Sequence, residues 1–224
     1  MVTLGTLRFL READKVYCFA VGNVSHSFDI IADLDIDTNK VVTIDIPMSH
    51  DRSKANAIYD ELALRLKEEH EEGKVIAVAT EGDSSIFATT HYVMDRLVAM
   101  GVDCQQTPGV PSFIAAASVA GLHLVKLQER LLIIPGKTTS EEILRLTSEG
   151  YNLVIMKLSM AHQAVSEAFS STTALQFHYF ENIGTRREPK FATGRPLLVS
   201  LKAADGAGSA HVYQGGGRGG GGSN

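Results

Sequence analysis

Cysteine is scarce in this chain: Cys18 and Cys104 are the only two in 224 residues. Both sit in apolar, strand-like runs, which fits buried thiols in a reducing compartment and leaves a single disulfide open. Neither lies at metal-ligand spacing from other candidate ligands, so a zinc hydrolase is excluded. Long apolar runs are also missing; none approaches the roughly 20 residues that a spanning helix needs. The opening stretch, MVTLGTLRFLREADKVY, carries acids and lacks the apolar core and cleavage site of a signal peptide, and a cytoplasmic protein is therefore expected. There is no excess of basic charge. The formal net charge of -5 argues against broad attraction to nucleic acid or to an anionic membrane, while leaving room for a local basic patch. No Gly-x-Gly-x-x-Gly opens a helix after a strand, which disfavours a nicotinamide-dependent oxidoreductase. No internal repeat of useful period is present.

What the chain does contain is ordinary for a folded protein: 44% hydrophobic and 21% charged residues, with ample material for a core. Short β-rich runs alternate with helical patterns. KVYCFAV (15–21) and KVVTIDIPM (40–48) read as strands. Residues 53–72 read as a helix, with Ser53 able to cap its start, Ile58, Leu62 and Leu66 four apart on one face, and Gly73 suited to its end. KVIAVAT (74–80) is a continuous apolar strand of the kind buried on both faces of a parallel sheet. A helix is predicted from about Ser84 to Met100, with Ile86, Val93, Leu97 and Met100 inward, followed by a weaker strand, VDCQQT (102–107). Beyond PGVPS come a small-residue helix (113–122), a strand (130–136), a helix (139–149), a strand (151–157), a short helix (162–169) and two strands (174–183 and 195–203). Such alternation implies an α/β protein. The last two strands have no helix between them, so antiparallel pairing is expected in the C-terminal half. The expected division is into an N-terminal α/β lobe (1–108), a C-terminal α/β lobe (109–205) and a flexible glycine-rich tail (206–224).

Two turns carry the functional reading. TEGDSSIF (80–87) follows a buried strand, and in open α/β sheets ligands bind beyond the carboxyl ends of strands. Gly82 allows close backbone approach or a positive φ, while Asp83 and Ser84 offer hydrogen-bonding groups. A capped strand-to-helix turn is the alternative. QQTPGVPSFIAAAS (105–118) repeats the logic, with Pro108 and Pro111 stiffening the backbone and Gly109 permitting close approach; a rigid connector is the alternative there. The SHD triplet at 49–51 is too local to form a catalytic triad and reads as the approach to the 53–72 helix.

Taken in order, EGDSSIF, TPGVPSF, VIMK (154–157) and ENIGT (181–185) resemble the Gly-Asp-Pro loop, the Pro-Gly-x-Ser/Thr turn, the methionine-bearing strand end and the late glycine turn of the tetrapyrrole (corrin and porphyrin) methylases. IDIPMSHDRSKA (44–55), a strand ending in Pro-Met and followed by Asp-Arg and a helix, is similar to the precorrin-2 C(20)-methyltransferase branch. The resemblance spans about residues 3 to 202. It departs in two places. Ser84 stands where the family has proline after Gly-Asp, and the family's first strand and Gly-x-Gly-Pro-Gly-Asp loop come just before the equivalent of MVTLGTLRFLREAD. An open sheet position and a missing wall of the active site are expected.

The resemblance implies a fold of two α/β lobes with a cofactor cleft between them. It also implies methyl transfer from S-adenosyl-L-methionine to a tetrapyrrole carbon, C-20 of precorrin-2 or cobalt-precorrin-2, in cobalamin biosynthesis. Another regiospecificity, or a fragment that only binds the cofactor, stays open. By the same resemblance Glu81, Gly82 and Asp83 line the methionine end of the cofactor, with Ile86 packed on it. Pro111 and Ser112 contact it from the second turn, Met156 lies against the adenosine and Gly184 near the adenine. For Ile86 and Met156 plain core packing is the competing reading. The polycarboxylate substrate calls for cations: Met48 and Arg52 are the expected substrate contacts, with Lys54, Arg186 and Arg187 as further candidates. His26, His50, Asp51 and Tyr92 are candidate bases, with nothing to select among them. No metal site is implied, and a homodimer is expected.

Overall fold

The structure is a computed structural model that describes residues 2–47, 51–181, 183, 200–202 and 209–214. The chain forms two compact units, Met1–Pro111 and Ser112–Asn224.

In the first unit, α1 (Leu4–Glu12) leads into β1 (Lys15–Ala20), α2 (His26–Ala32), β2 (Val41–Asp45), α3 (Ser53–Glu71), β3 (Ile76–Ala79) and α4 (Thr90–Ala99). The three strands form a parallel sheet in the order β2-β1-β3. Side chains alternate across it with the two-residue period of a strand. Tyr17 and Phe19 face α3 and α4, packing with Tyr59, Leu62, Leu66, Val93 and Leu97. Val16 and Cys18 face the other way and pack with Leu10 of α1 and Ile31 of α2. Each such aliphatic side chain, fully buried, contributes about 1.5–3 kcal/mol. Helices therefore cover both faces, the doubly wound arrangement expected of alternating β and α segments. Tyr17 is anchored as well as buried. Its hydroxyl donates to Glu69 Oε2 at 3.0 Å while Lys15 Nζ donates to Glu69 Oε1 at 2.5 Å. Burial and this neighbouring carboxylate push the Tyr17 hydroxyl up to about 12.

Four expectations change here. The 84–100 helix begins only at Thr90, because residues 80–89 stay in irregular turns. Ser85 N–H donates to Asp83 Oδ1 at 2.8 Å, and Phe87 adopts φ 51°, a left-handed conformation that cannot continue a right-handed helix. Ile86 consequently stands outside the helical stripe that Val93 and Leu97 form. The 102–107 segment is extended but pairs with no strand. The 74–80 strand packs on both faces, Ile76 and Val78 on one side and Ala77 and Ala79 on the other, but it is less enclosed than expected: three of the four β3 residues are only half-buried. Finally, Ser53 does not cap α3. Arg52 holds the cap position without a side-chain bond, and Asp51 accepts from both the N–H and the hydroxyl of Ser53. Both cysteines are free, and burial pushes the Cys18 thiol up to about 12, which keeps it protonated and unreactive.

The second unit contains α5 (Ser112–Val119), β4 (Arg130–Ile134), α6 (Ser140–Ser148), β5 (Tyr151–Met156), α7 (His162–Ser171), β6 (Phe177–Glu181), β7 (Ser200–Lys202) and β8 (Ser209–Gln214). Its sheet runs β4-β5-β8-β6, with β7 antiparallel to β8. Residues 209–214, expected in a flexible tail, instead form β8, parallel to both β5 and β6. AHVY is the one stretch of that tail with strand character, and the unit's sheet offers it two edges to bridge. One face of the sheet packs on α6 and α7 through Leu153, Ile155, Ile143, Leu146 and Val165. On β5 the buried Asn152 points the other way, donating to the Leu124 carbonyl at 2.7 Å and to Glu129 Oε2 at 3.0 Å. Thr139 caps α6 by accepting from Glu142 N–H.

Candidate functional site

At the carboxyl end of β3 the chain turns through Thr80–Ser85, and this turn is clamped to the one at 107–111. Gly82 has φ 76°, which its missing side chain permits. Asp83 uses both carboxylate oxygens inside the unit: Oδ1 accepts from Ser85, and Oδ2 accepts from Gly109 N–H at 2.7 Å. These donors hold the Asp83 carboxyl below its ordinary range, the Ser85 hydroxyl contributing most and the Gly109 N–H next. Gly109 fits because it has no Cβ. One built there would sit 2.0 Å from the Gly82 carbonyl oxygen and 2.9 Å from Asp83 Cα, so two backbones meet at a distance that only glycine allows. His91 Nε2 bonds the Ser84 carbonyl oxygen, which ties the turn to α4. From the other side, Thr3 Oγ1 donates to the Pro108 carbonyl at 3.1 Å and Thr6 Oγ1 to Thr107 Oγ1 at 3.1 Å.

The electrostatics of this end are acidic. Burial is the main cause that raises the Glu81 carboxyl; His26 opposes the shift and Asp29 adds to it. Glu81 touches solvent at the surface, yet it sits at the mouth of a concavity whose walls crowd it, so accessibility and desolvation coexist. Among the described residues no lysine or arginine forms an ion pair with it. A cationic ligand would meet an uncompensated carboxyl here.

The sequence-expected residues fall into separate groups. Glu81, Gly82, Asp83 and Ile86 share one turn, and Pro111 belongs to the turn that Gly109 locks against it. Ser112, the first residue of α5, and the half-buried Met156, the last of β5, belong to the second unit. Arg52 is exposed at the start of α3, with its guanidinium carbon 5.3 Å from the centroid of the Tyr92 ring; Tyr92 in turn stacks on Tyr59 at 5.2 Å. Lys54 is exposed on α3. Of the candidate bases, Asp51 is engaged by Ser53, which keeps its carboxyl low; His26 opens α2 beside Glu81; Tyr92 lies under Arg52. Met48, His50, Gly184, Arg186 and Arg187 lie outside the described residues. Sequence reasoning marked Gly109 as permitting close approach without naming what approaches it, and it missed His91 and Thr90. The Pro-Gly pair was a visible signal for the first; the other two are ordinary helix residues with no signal in the sequence.

Residues 1–195 match the family model described as Tetrapyrrole (Corrin/Porphyrin) Methylases. The chain belongs to this family. Among curated relatives it is 29% identical over 164 residues to the cobalt-precorrin-2 C(20)-methyltransferase of Salmonella typhimurium, covering 70% of this chain and 67% of the relative. It is 27% identical to the probable cobalt-precorrin-2 C(20)-methyltransferase of Methanocaldococcus jannaschii, covering 74% and 70%. A precorrin-4 C(11)-methyltransferase from Sinorhizobium sp is 26% identical over 65% of this chain and 53% of that relative. Among solved structures, the cobalt-precorrin-4 methyltransferase CbiF superposes with a TM-score of 0.56 at 20% identity, covering 78% of this chain and 71% of that one. The methyltransferase CobJ gives 0.53 at 17%, covering 91% and 80%. These likenesses show that this tetrapyrrole methylase has the family's α/β fold. Among the described residues no helix is long and apolar enough to cross a membrane.

Proposed function

We propose that this tetrapyrrole methylase transfers a methyl group from S-adenosyl-L-methionine to C-20 of precorrin-2 or cobalt-precorrin-2 in cobalamin biosynthesis. The observation that carries the reading is the double turn at the carboxyl end of β3, where Asp83 and Gly109 hold two loops in contact beside an unpaired carboxyl. Family membership and the two C(20)-methyltransferase relatives support it.

The residues present fit the donor. Glu81 supplies a carboxyl that no lysine or arginine pairs with among the described residues, and Gly82 exposes backbone for close approach. The bound donor would supply a sulfonium-activated methyl group. The protein's part is to position the acceptor carbon in line and exclude water, because charge disperses in such a displacement and little acid or base chemistry is needed. Arg52, stacked over Tyr92, would hold a substrate carboxylate. His26, half-buried beside Glu81, is the base best placed to take the proton released after methylation. Asp83 acts through the turn it closes. Ile86, Pro111, Ser112, Met156 and Gly184 are proposed as further cofactor contacts and Met48 as a substrate contact, in two α/β lobes of a homodimeric protein.

The test is calorimetric titration with S-adenosylhomocysteine, then incubation with precorrin-2 and NMR of the methylated carbon. Asp83→Ala should weaken binding by at least about tenfold, the equivalent of about 1.4 kcal/mol; unchanged binding would remove this turn from the cofactor site. A second reading, methylation at another ring position, is favoured by the precorrin-4 C(11) relative and is decided by the same NMR experiment.

A further inference from the structure

Two arginines lie on one aromatic stack in the first unit, and only one of them is neutralised. The stack starts in the core, where Phe19 of β1 and Tyr59 of α3 meet edge-on with ring centroids 6.1 Å apart. Tyr59 is 1% exposed. It lies nearly parallel to Tyr92 of α4, with 13° between the ring planes and 5.2 Å between centroids. Tyr92 carries the row to the surface, with 44% of its area exposed. Arg96 approaches the Tyr59 ring at 5.7 Å and Arg52 the Tyr92 ring at 5.3 Å.

Arg96 is engaged within the fold. Its Nε donates to Asp60 Oδ1 at 2.5 Å and its Nη1 to the Tyr92 carbonyl at 2.7 Å. These bonds pin α4 to α3 and fix the backbone that carries the Tyr92 ring. Arg52 has no such acid. Among the described residues it forms no ion pair, and the adjacent Asp51 accepts from Ser53. Burial raises the Tyr59 hydroxyl, and the Arg52 charge is the largest influence against that rise, which sets the guanidinium beside both rings. A long exposed side chain loses rotamer freedom when it binds a ligand. Arg52, held over a fixed ring, has given up part of that freedom beforehand and keeps its charge uncompensated. The contacts of Tyr92 with Tyr59, Arg52 and Arg96 use its ring and its carbonyl, not its hydroxyl.

We propose that Tyr92 is a positioning residue: backed by Tyr59, it holds the Arg52 guanidinium ready to take a carboxylate of the tetrapyrrole, and it removes no proton from the substrate. A guanidinium matches the planar fork of a carboxylate, and the ring beside it limits the directions from which that fork can be met. This role rests on Arg52 being a substrate contact, as proposed above. It adds that the aromatic pair, rather than Arg52 alone, sets the affinity.

The test is titration of the full chain with precorrin-2 in the presence of S-adenosylhomocysteine, so that affinity is read apart from turnover. Each variant is first shown to bind S-adenosylhomocysteine as the wild type does. Arg52→Ala should weaken precorrin-2 binding at least about tenfold, and Tyr92→Leu about fivefold. Tyr92→Met serves should the leucine variant not fold. Tyr92→Phe, which restores the ring, should recover affinity to within about twofold and keep the pH profile of methylation. The Arg52→Ala/Tyr92→Leu double variant should bind no worse than Arg52→Ala within about twofold, against about fiftyfold below wild type for independent sites. Additive losses, wild-type affinity in Tyr92→Leu, or a shifted pH profile in Tyr92→Phe would overturn the role of Tyr92 and leave Arg52 as a substrate contact. Unchanged affinity in Arg52→Ala would overturn both. The methyltransferase reading survives either failure, since NMR of the methylated product decides it.

Discussion

β1 and β3 begin from nearly the same sequence. KVYCFA and KVIAVA are each a lysine followed by an unbroken apolar run, and both end at the loops that face the acidic end of the sheet. In the folded unit they differ. β1 has a partner on each side and buries four of its six residues, whereas β3 has a partner on one side and buries one of four. An apolar run records tolerance of burial on both faces. It does not record whether both edges are paired, because edge pairing uses backbone groups that every residue carries.

The largest way to break this comparison is to cut the tie that holds the open side of β3 to its neighbour. Gly109→Ala places a Cβ against the Gly82 carbonyl oxygen, and a loss of about 3 kcal/mol is expected in urea unfolding, together with loss of S-adenosylhomocysteine binding. A wild-type midpoint would mean that the two turns separate freely. Next, equivalent truncations on the two strands should differ. Val16→Ala, at a position with no exposure, should cost about 2 kcal/mol, and Val78→Ala, half-buried, about 1 kcal/mol or less. Equal losses would show that β3 is as enclosed as β1.

A smaller effect is expected from Tyr17→Phe. It leaves the buried Glu69 Oε2 without its donor while Lys15 still holds Oε1, at a cost of about 1 kcal/mol in denaturant titration. The smallest effect belongs to Glu81→Gln. The native Glu81 carboxyl keeps its proton to a higher pH than the unfolded one. The native state thus binds more protons between the two values, and stability falls as pH rises through that window. The variant should melt higher than the parent at about pH 7, and that difference should vanish by about pH 3, where the carboxyl is protonated in both the native and the unfolded state. An unchanged difference across the range would mean that the carboxyl is not desolvated.

The regular parts of the fold were readable wherever one face is apolar at a fixed period. The stripe at Leu62 and Leu66 identified α3, and both are buried. The misreadings share a cause. Residues 84–89 carry helix-compatible side chains, but the Asp83–Ser85 turn and Phe87 at positive φ delay the helix to Thr90. Residues 102–107 have strand composition without a neighbour to pair with. Residues 209–214 sit in glycine-rich surroundings and become a strand because β5 and β6 leave a place between them. Of the candidate site, the acids and glycine of the 80–83 turn stood out in the sequence, whereas the role of Asp83 as a clamp did not, since its partner Gly109 is 26 residues away.

By itself the sequence determined the α/β class, the core faces of the helices, the position of the acidic turn after β3 and the family, because each depends on residue type at short spacing. Tertiary structure alone decided which strand edges are paired and that Gly109 and Gly82 touch. These depend on backbone meeting backbone across the chain, and backbone chemistry is the same at nearly every position.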